Sequence, residues 1–322
     1  MSGARTKKDA QSAPRTRSAV TSSNPRRRMD LIASVSRSSG LDKDGDALRD
    51  PSTQDEYRVY IQAKIDDLWT RHPKSCDEKK EELQKRVDSQ ETILILLRKL
   101  REGIVSSKRA GKFALEVYET SLALSVLFDS PRQISAIVPS FMAFIQHEPI
   151  SPDPERSQMI VIGLLQQLIT FYPSQREYNS FLHALPIALF TADCSERVWI
   201  TSLATCLRTR NYAQLEQILR PPSVPVPSLD VASDPNRLAP RAIYHLIDSL
   251  RGKARDTSWT IMRSAYRELL CQKDEQTRDW LQRSLGLSSS VDLDDWFKRT
   301  EQLGHVRRKE GVEDRWIVSK LR

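Results

Sequence analysis

The residues best suited to chemistry are cationic. Lys298, Arg299, Arg307, Arg308, Lys309, Arg315, Lys320 and Arg322 fall within residues 298–322, against Glu301, Glu310, Glu313 and Asp314, for a local net charge of +4. Such a group can neutralise phosphates and release their counterions, giving salt-sensitive, weakly sequence-specific binding to RNA or DNA. A solvated charged surface is the plainer reading of the same residues. Lys108, Arg109 and Lys112 form a second basic group. A third lies in residues 1–28, where eight Lys and Arg face the single acid Asp9; this +7 is most of the +8 carried by all 322 residues. The other residues are close to neutral in sum, so net charge alone does not describe a basic globule. Within the N-terminal group, Pro25-Arg26-Arg27-Arg28 fits a nuclear-import signal, a phosphate-binding tail, or a solvated tail with neither role.

Other chemistry finds little support. Cys76, Cys194, Cys206 and Cys271 are far apart and form no C-x-x-C pair, which reads as reduced thiols and neither a disulfide framework nor a zinc site. His72, His147, His183, His245 and His305 are scattered, and His183 lies in an apolar helical pattern that suggests a core or groove residue. No phosphate-binding glycine loop, nucleophile elbow or metalloprotease motif occurs. No enzyme, cofactor, metal or small-molecule substrate is therefore expected. A hydrophobic fraction of 39% and a mean hydropathy of −0.51 describe a soluble chain. No run approaches the ~18 apolar residues of a membrane span, and no signal-peptide core is visible, so neither membrane nor secretion is expected.

The elements that would position these residues read as helices. Residues 1–52 are rich in Ser, Arg, Asp, Gly and Pro and are expected to be disordered. From Gln54 onward, Tyr57, Tyr60, Ile61, Ile65, Leu68 and Trp69 recur at three- to four-residue spacing, the mark of one apolar helical face. A charged stretch, Asp77 to Val87, runs into Ile93, Leu94, Leu97 and Leu100 and predicts a long helix exposed in its first half. Phe113–Phe128 is apolar on nearly every turn, and Pro131 suits the first turn of the helix after it, where Pro139 should introduce a kink. Further helices are predicted from Met159 to Tyr172 and near 175–190, 194–208 and 211–219, with Pro186 interrupting the first of these three. The Pro221–Pro227 tract reads as extended, polyproline-like loop. Helices then resume at about 238–251 and 256–271.

Helix pairs joined by short turns, with no alternating strand–helix pattern, favour an α-solenoid in which each hairpin buries its face on its neighbours. The last 65 or so residues differ. Helices are predicted at Ser258–Leu270, at Glu275–Leu285 closed by Gly286, and at Asp292–Leu303 closed by Gly304. Two strand-like runs follow, His305–Lys309 and Arg315–Ser319, joined by a turn containing Gly311. Three helices and a hairpin give the winged-helix order. The expected organisation is a basic tail at 1–52, a helical-repeat domain at 53–250 and a winged-helix domain at 251–322.

Over about residues 90–322 the chain resembles the Sac/GANP family of the PCI superfamily. Leu100-Arg101-Glu102-Gly103-Ile104 followed by Phe113-Ala114-Leu115-Glu116-Val117-Tyr118-Glu119 is similar to the family's L-R-x-D-h and F-x-V-x-V-Y-E stretches. Val198–Leu207, then Arg210-Asn211-Tyr212 and Leu215, resembles its alanine-rich helix and G-N-Y turn, with Arg210 where the family often has Gly. Arg263-Ser264-Ala265-Tyr266 resembles the R-A-Y or K-S-Y helix end. Trp280-Leu281 to Leu285-Gly286-Leu287, and Trp296-Phe297 to Leu303-Gly304, resemble the two helix ends that follow. The cysteine–proline motif that often precedes the domain in export scaffolds is absent.

The resemblance implies a mostly α fold: a right-handed α-solenoid of helical hairpins capped by a C-terminal winged helix. It implies a non-enzymatic scaffold subunit of a nuclear mRNA-processing, mRNA-export or transcription-coupled complex, in the nucleus or shared with the cytoplasm. It also implies pairing with a second PCI-domain protein through wing strands. The run Arg315–Ser319, taken as an edge strand with Trp316 and Val318 on one face and Ile317 on the other, would offer unpaired backbone groups for that strand addition. The runner-up is a protein-bridging subunit of a proteasome-lid-like or translation-initiation-factor complex with no nucleic-acid role.

Overall fold

The computed structural model describes residues 29–35, 47–72, 79–147, 154–227, 237–270, 275–287, 290–312 and 315–320. The expected import signal Arg26–Arg28, together with Cys76, Cys271 and Arg322, lies outside them. The chain is mostly α. Its helices are α1 (Pro51–Arg71), α2 (Lys80–Ser107), α3 (Lys112–Leu127), α4 (Pro131–His147), α5 (Pro154–Thr170), α6 (Arg176–Ala184), α7 (Ser195–Thr209), α8 (Tyr212–Leu219) and α9 (Leu238–Ala265). After strand β1 (Glu268–Leu270) come α10 (Glu275–Leu285), α11 (Ser290–Gln302), β2 (Val306–Arg308) and β3 (Arg315–Val318).

Local signals explain most boundaries. Asp50 caps α1 by accepting the Thr53 backbone N–H at 2.9 Å, with Pro51 in the first turn. Asn211 caps α8 in the same way through the Gln214 N–H at 3.1 Å. Arg210, just before it, ends α7 with φ +56°, the left-handed conformation in which glycine is favoured. α2 is exposed through its charged first turns and buried from Ile93 onward. α4 runs on through Pro139, and α6 stops two residues short of Pro186.

Packing is sequential. α1 lies on α2, α2 on α3 and α3 on α4, while α5 packs against α6 and α7. The 28-residue α9 then runs back along α3 and α5 and reaches α8 and α10. Ala242, Ile243, Leu246, Ile247 and Leu250 join it to one continuous hydrophobic core. Trp259 and Met262, further along the same helix, belong to a second cluster with Leu281, Leu285, Leu293, Trp296, Phe297 and Trp316.

Several expectations need correction. The two helices expected at 238–251 and 256–271 are one, so a boundary at 250/251 would fall inside α9. Gly252 costs about 1 kcal/mol in a helix interior, too little to break a helix buried on both sides of it. The helix then stops at Ala265, and Glu268–Leu270 forms a strand. The Pro221–Pro227 tract is a chain of turns and bends with Val224 buried, not an extended stretch.

Disorder across all of 1–52 does not hold either. Ile32, Ser34 and Leu48 are buried. The Lys99 ammonium donates to the Ile32 carbonyl at 2.7 Å, Ser34 hydrogen-bonds Glu102, and the Gln54 amide donates to the Leu48 carbonyl at 2.8 Å. Gly103 permits this seat on α2, because a Cβ there would stand 2.6 Å from the Leu48 oxygen.

Candidate nucleic-acid interface

The three strands form one antiparallel sheet in the order β1–β3–β2. Glu268, Ile317 and Arg307 lie opposite one another across it, as do Leu269, Trp316 and Arg308, while Val306 faces Val318. Side chains directly opposite share a face, and alternate residues change face. The inner face therefore carries Leu269, Val306, Trp316 and Val318, all buried. The outer face carries Glu268, Arg307, Arg315, Ile317 and, just past β2, Lys309.

β3 is the central strand, not an edge. Its backbone is paired on both sides, so Trp316, Ile317 and Val318 cannot accept an added strand as expected. Trp316 instead stacks on Phe297 (4.7 Å between centroids, 7° between planes), and Phe297 and Trp259 each meet Trp296 edge-on. The free edges belong to β1 and β2, each three residues long, and short edges resist strand addition.

The expected cationic residues do not converge on one surface. Arg307 is exposed, and its side chain has no partner among the described residues. Lys309 and Arg315 approach the two carboxylate oxygens of Glu268, each at 3.1 Å. The hydrogen bond from Lys309 is the largest influence and lowers the Glu268 carboxyl from its ordinary value; desolvation, next in size, opposes it, and the charges of Arg315 and Lys309 add to the lowering. Arg308 turns the other way, its guanidinium 5.0 Å from the Trp316 ring centroid. Residues 307–309 are thus not a single basic cluster, because the two-residue period of a strand separates them.

Lys298 and Arg299 sit on α11, which packs on the inner side of the sheet through Phe297, so the sheet divides them from its outer face. Lys298 pairs with Asp295 at 2.9 Å, and Arg299 lines a polar cleft with Arg255, Asp292 and Trp296. Lys320 is exposed just beyond β3. In the second basic group, Arg109 is committed to local structure: it pairs with Asp55 at 2.9 Å and stacks over Phe113 at 3.6 Å. What remains is an outer sheet face with three cations around one carboxylate and Ile317 among them. Chemically this can hold phosphate groups, with Arg307 free and Lys309 and Arg315 exchanging Glu268 for the ligand.

Sequence reasoning missed Glu268 and Arg267, because Arg267–Leu270 reads as the end of a helix. The histidines take modest places. His183 is exposed, against the expectation of a core or groove position. His245 meets Asp129 at 2.7 Å, and the Trp259 indole N–H donates to His305 Nδ1 at 3.4 Å. Among the described residues, potential metal ligands nowhere gather in threes, and no helix is long and apolar enough to cross a membrane. No family model matches the chain, and no curated protein matches it.

Proposed function

We propose that this chain is a non-enzymatic scaffold subunit of the PCI type, closest in kind to the Sac/GANP scaffolds, serving a nuclear mRNA-processing, mRNA-export or transcription-coupled complex. In this reading α1–α9 form the right-handed solenoid, and the sheet with α10 and α11 forms the winged helix. The chain pairs with a second PCI-domain protein and contacts RNA or DNA through the outer sheet face. The observation that carries the nucleic-acid part is the surround of Glu268: Arg307, Lys309 and Arg315 on one exposed sheet face, so that a single carboxylate opposes three cations.

The protein-bridging reading also has an observation in its favour. Lys298, Lys309 and Arg315 are already held by Asp295 and Glu268, which lowers the charge available to phosphate.

The separating experiment is charge reversal of Arg307 and Lys309 to Glu in the full-length chain. RNA retention at low salt is expected to fall at least tenfold, while co-purification of the protein partners persists. Each lost phosphate contact should also reduce the slope of log affinity against log salt by roughly 0.7–0.9. Unchanged RNA retention would overturn the placement of the contact. Recovery of proteasome-lid or initiation-factor subunits, without RNA, would favour the runner-up.

A further inference from the structure

Most aromatic side chains among the described residues are buried or half-buried. Three are exposed: Phe171, Tyr266 and Trp280. Two of these touch each other. Tyr266 and Trp280 meet edge-on, with ring centroids 5.7 Å apart and planes at 72°, yet keep 44% and 37% of their surfaces open to solvent. Neither is needed to fill the small core beneath, which is closed by Trp259, Trp296, Phe297 and Trp316. Tyr266 is the extended residue that ends α9 and leads into β1, and Trp280 lies on α10, whose Leu281 and Leu285 enter the small core.

The charged residues near the pair include arginines and an acid, Asp279, which directly precedes Trp280 and is exposed. Arg267 follows Tyr266; its carbonyl accepts the Val318 N–H at 2.9 Å, and its side chain is exposed. Arg283 lies one helical turn beyond Trp280, exposed; its Nε–H donates to the Asp279 carbonyl at 3.2 Å. Glu268, two residues beyond Tyr266, is occupied by Lys309 and Arg315.

We infer that Tyr266 and Trp280 form a stacking platform for the bases of an unpaired nucleic-acid strand, with Arg267 and Arg283 holding its phosphates. This rests on the nucleic-acid reading of the neighbouring sheet face and adds to it the class of ligand: single strand in preference to duplex. Exposed π faces flanked by guanidinium groups are what a flexible strand requires, since every base can stack and none need be read by its edge. A duplex keeps its bases stacked on one another and can use only the cations.

The test is fluorescence anisotropy of the full-length chain with a labelled oligouridylate of about 16 nucleotides and with a duplex RNA of the same length. Trp280→Ala and Tyr266→Ala are each expected to weaken single-strand binding by roughly five- to a hundredfold, the span found for loss of one base–aromatic stack. Duplex binding should change less than twofold, and Trp280→Phe should restore most of the single-strand affinity. Circular dichroism verifies that each variant is folded.

If the wild-type chain binds neither probe, the nucleic-acid reading fails and the platform with it. If Arg307→Glu with Lys309→Glu weakens both probes while Trp280→Ala weakens neither, the reading stands and the platform is refuted. Loss of a co-purifying protein in Trp280→Ala, with single-strand affinity intact, would make the pair a protein contact and likewise refute it.

Discussion

The helical array and the C-terminal unit solve the same problem with different materials. In α1–α8 and the first half of α9, burial is spread over many side chains, mostly Leu, Ile, Val and Ala with Tyr57, Phe141 and Phe190 among them, and α3, α5 and α9 each pack on several neighbours. In the C-terminal unit the touching rings of Trp259, Trp296, Phe297 and Trp316 form the centre of a small core, with Met262, Leu281, Leu285 and Leu293 beside them, between three helices and a small sheet. Distributed aliphatic packing tolerates change at any one place. A small core built on a few rings does not, because a lost ring leaves a cavity that so few neighbours cannot close. The economy has a consequence: with one layer of aromatics closing the inside, the outer sheet face and the Tyr266–Trp280 pair are left open to solvent.

The sharpest way to break this comparison is Trp316→Ala. It should destabilise the C-terminal unit by about 3–5 kcal/mol. In hydrogen exchange, protection should fall in α10, α11 and the sheet while α2, α3 and α5 keep theirs. An even loss of protection along the whole chain would mean that the two regions unfold as one.

A smaller effect is expected at the seam. The Glu216 carboxylate, 3% exposed on α8, accepts from Arg220 at 3.1 Å and from Arg251 of α9 at 3.2 Å. Arg251 also donates to the Leu219 carbonyl, and Arg255, one turn on, donates to the carbonyls of Leu285 and Gly286 at the end of α10. Glu216→Gln should cost about 2 kcal/mol in denaturant unfolding, less than a fully buried pair because both arginines keep solvent contact. Paired with Arg251→Met it should be clearly non-additive. Additive effects would remove this group from the coupling of the two regions.

The smallest expected effect is a pH response confined to the C-terminal unit. Burial first, then the charge of Arg263, lowers the His305 pKa from its ordinary 6.5. Its Nδ1 accepts from the Trp259 indole, which requires an unprotonated nitrogen. The neutral form is therefore favoured in the fold, and protonation favours the unfolded chain. The stability it contributes is complete above 6.5 and declines as pH falls through that value toward the lowered folded one. Thermal melts between about pH 7.5 and pH 5 should show this decline in the C-terminal unit, and His305→Gln should flatten it. A matching decline in the helical array would point to a different group.

Particular residues show what was legible. The faces of α1, α2 and α3 could be read directly, because a helix is held by contacts three and four residues apart and its apolar stripe is written at that spacing. The stops at Gly286 and Gly304, with φ of +59° and +70°, and the turn at Gly311, with φ of +78°, were equally local. The candidate site was legible in composition but not in arrangement. Arg307, Lys309 and Arg315 could be named as basic residues on a hairpin, yet nothing in the chain around them reveals that Glu268, 41 residues from Lys309, pairs with Lys309 and Arg315. The end of α9 was not legible: the helical pattern reads on to Leu270, whereas the helix stops at Ala265 and Glu268–Leu270 is a strand.

By itself, then, the sequence determined the helices, their buried faces, the hairpin β2–β3 and the charge it carries, since each depends on neighbours within a few residues. Only the tertiary structure decided that α9 is unbroken, that residues 29–35 and 47–50 seat on the helical array, and that β3 is central. A strand's place in a sheet is set by which distant segment supplies its second row of hydrogen bonds, and for β3 that segment is Glu268–Leu270. Pairing of this kind leaves little local pattern in a three-residue strand, so the step from a free edge to a closed sheet, and with it the face left for a ligand, came from the fold.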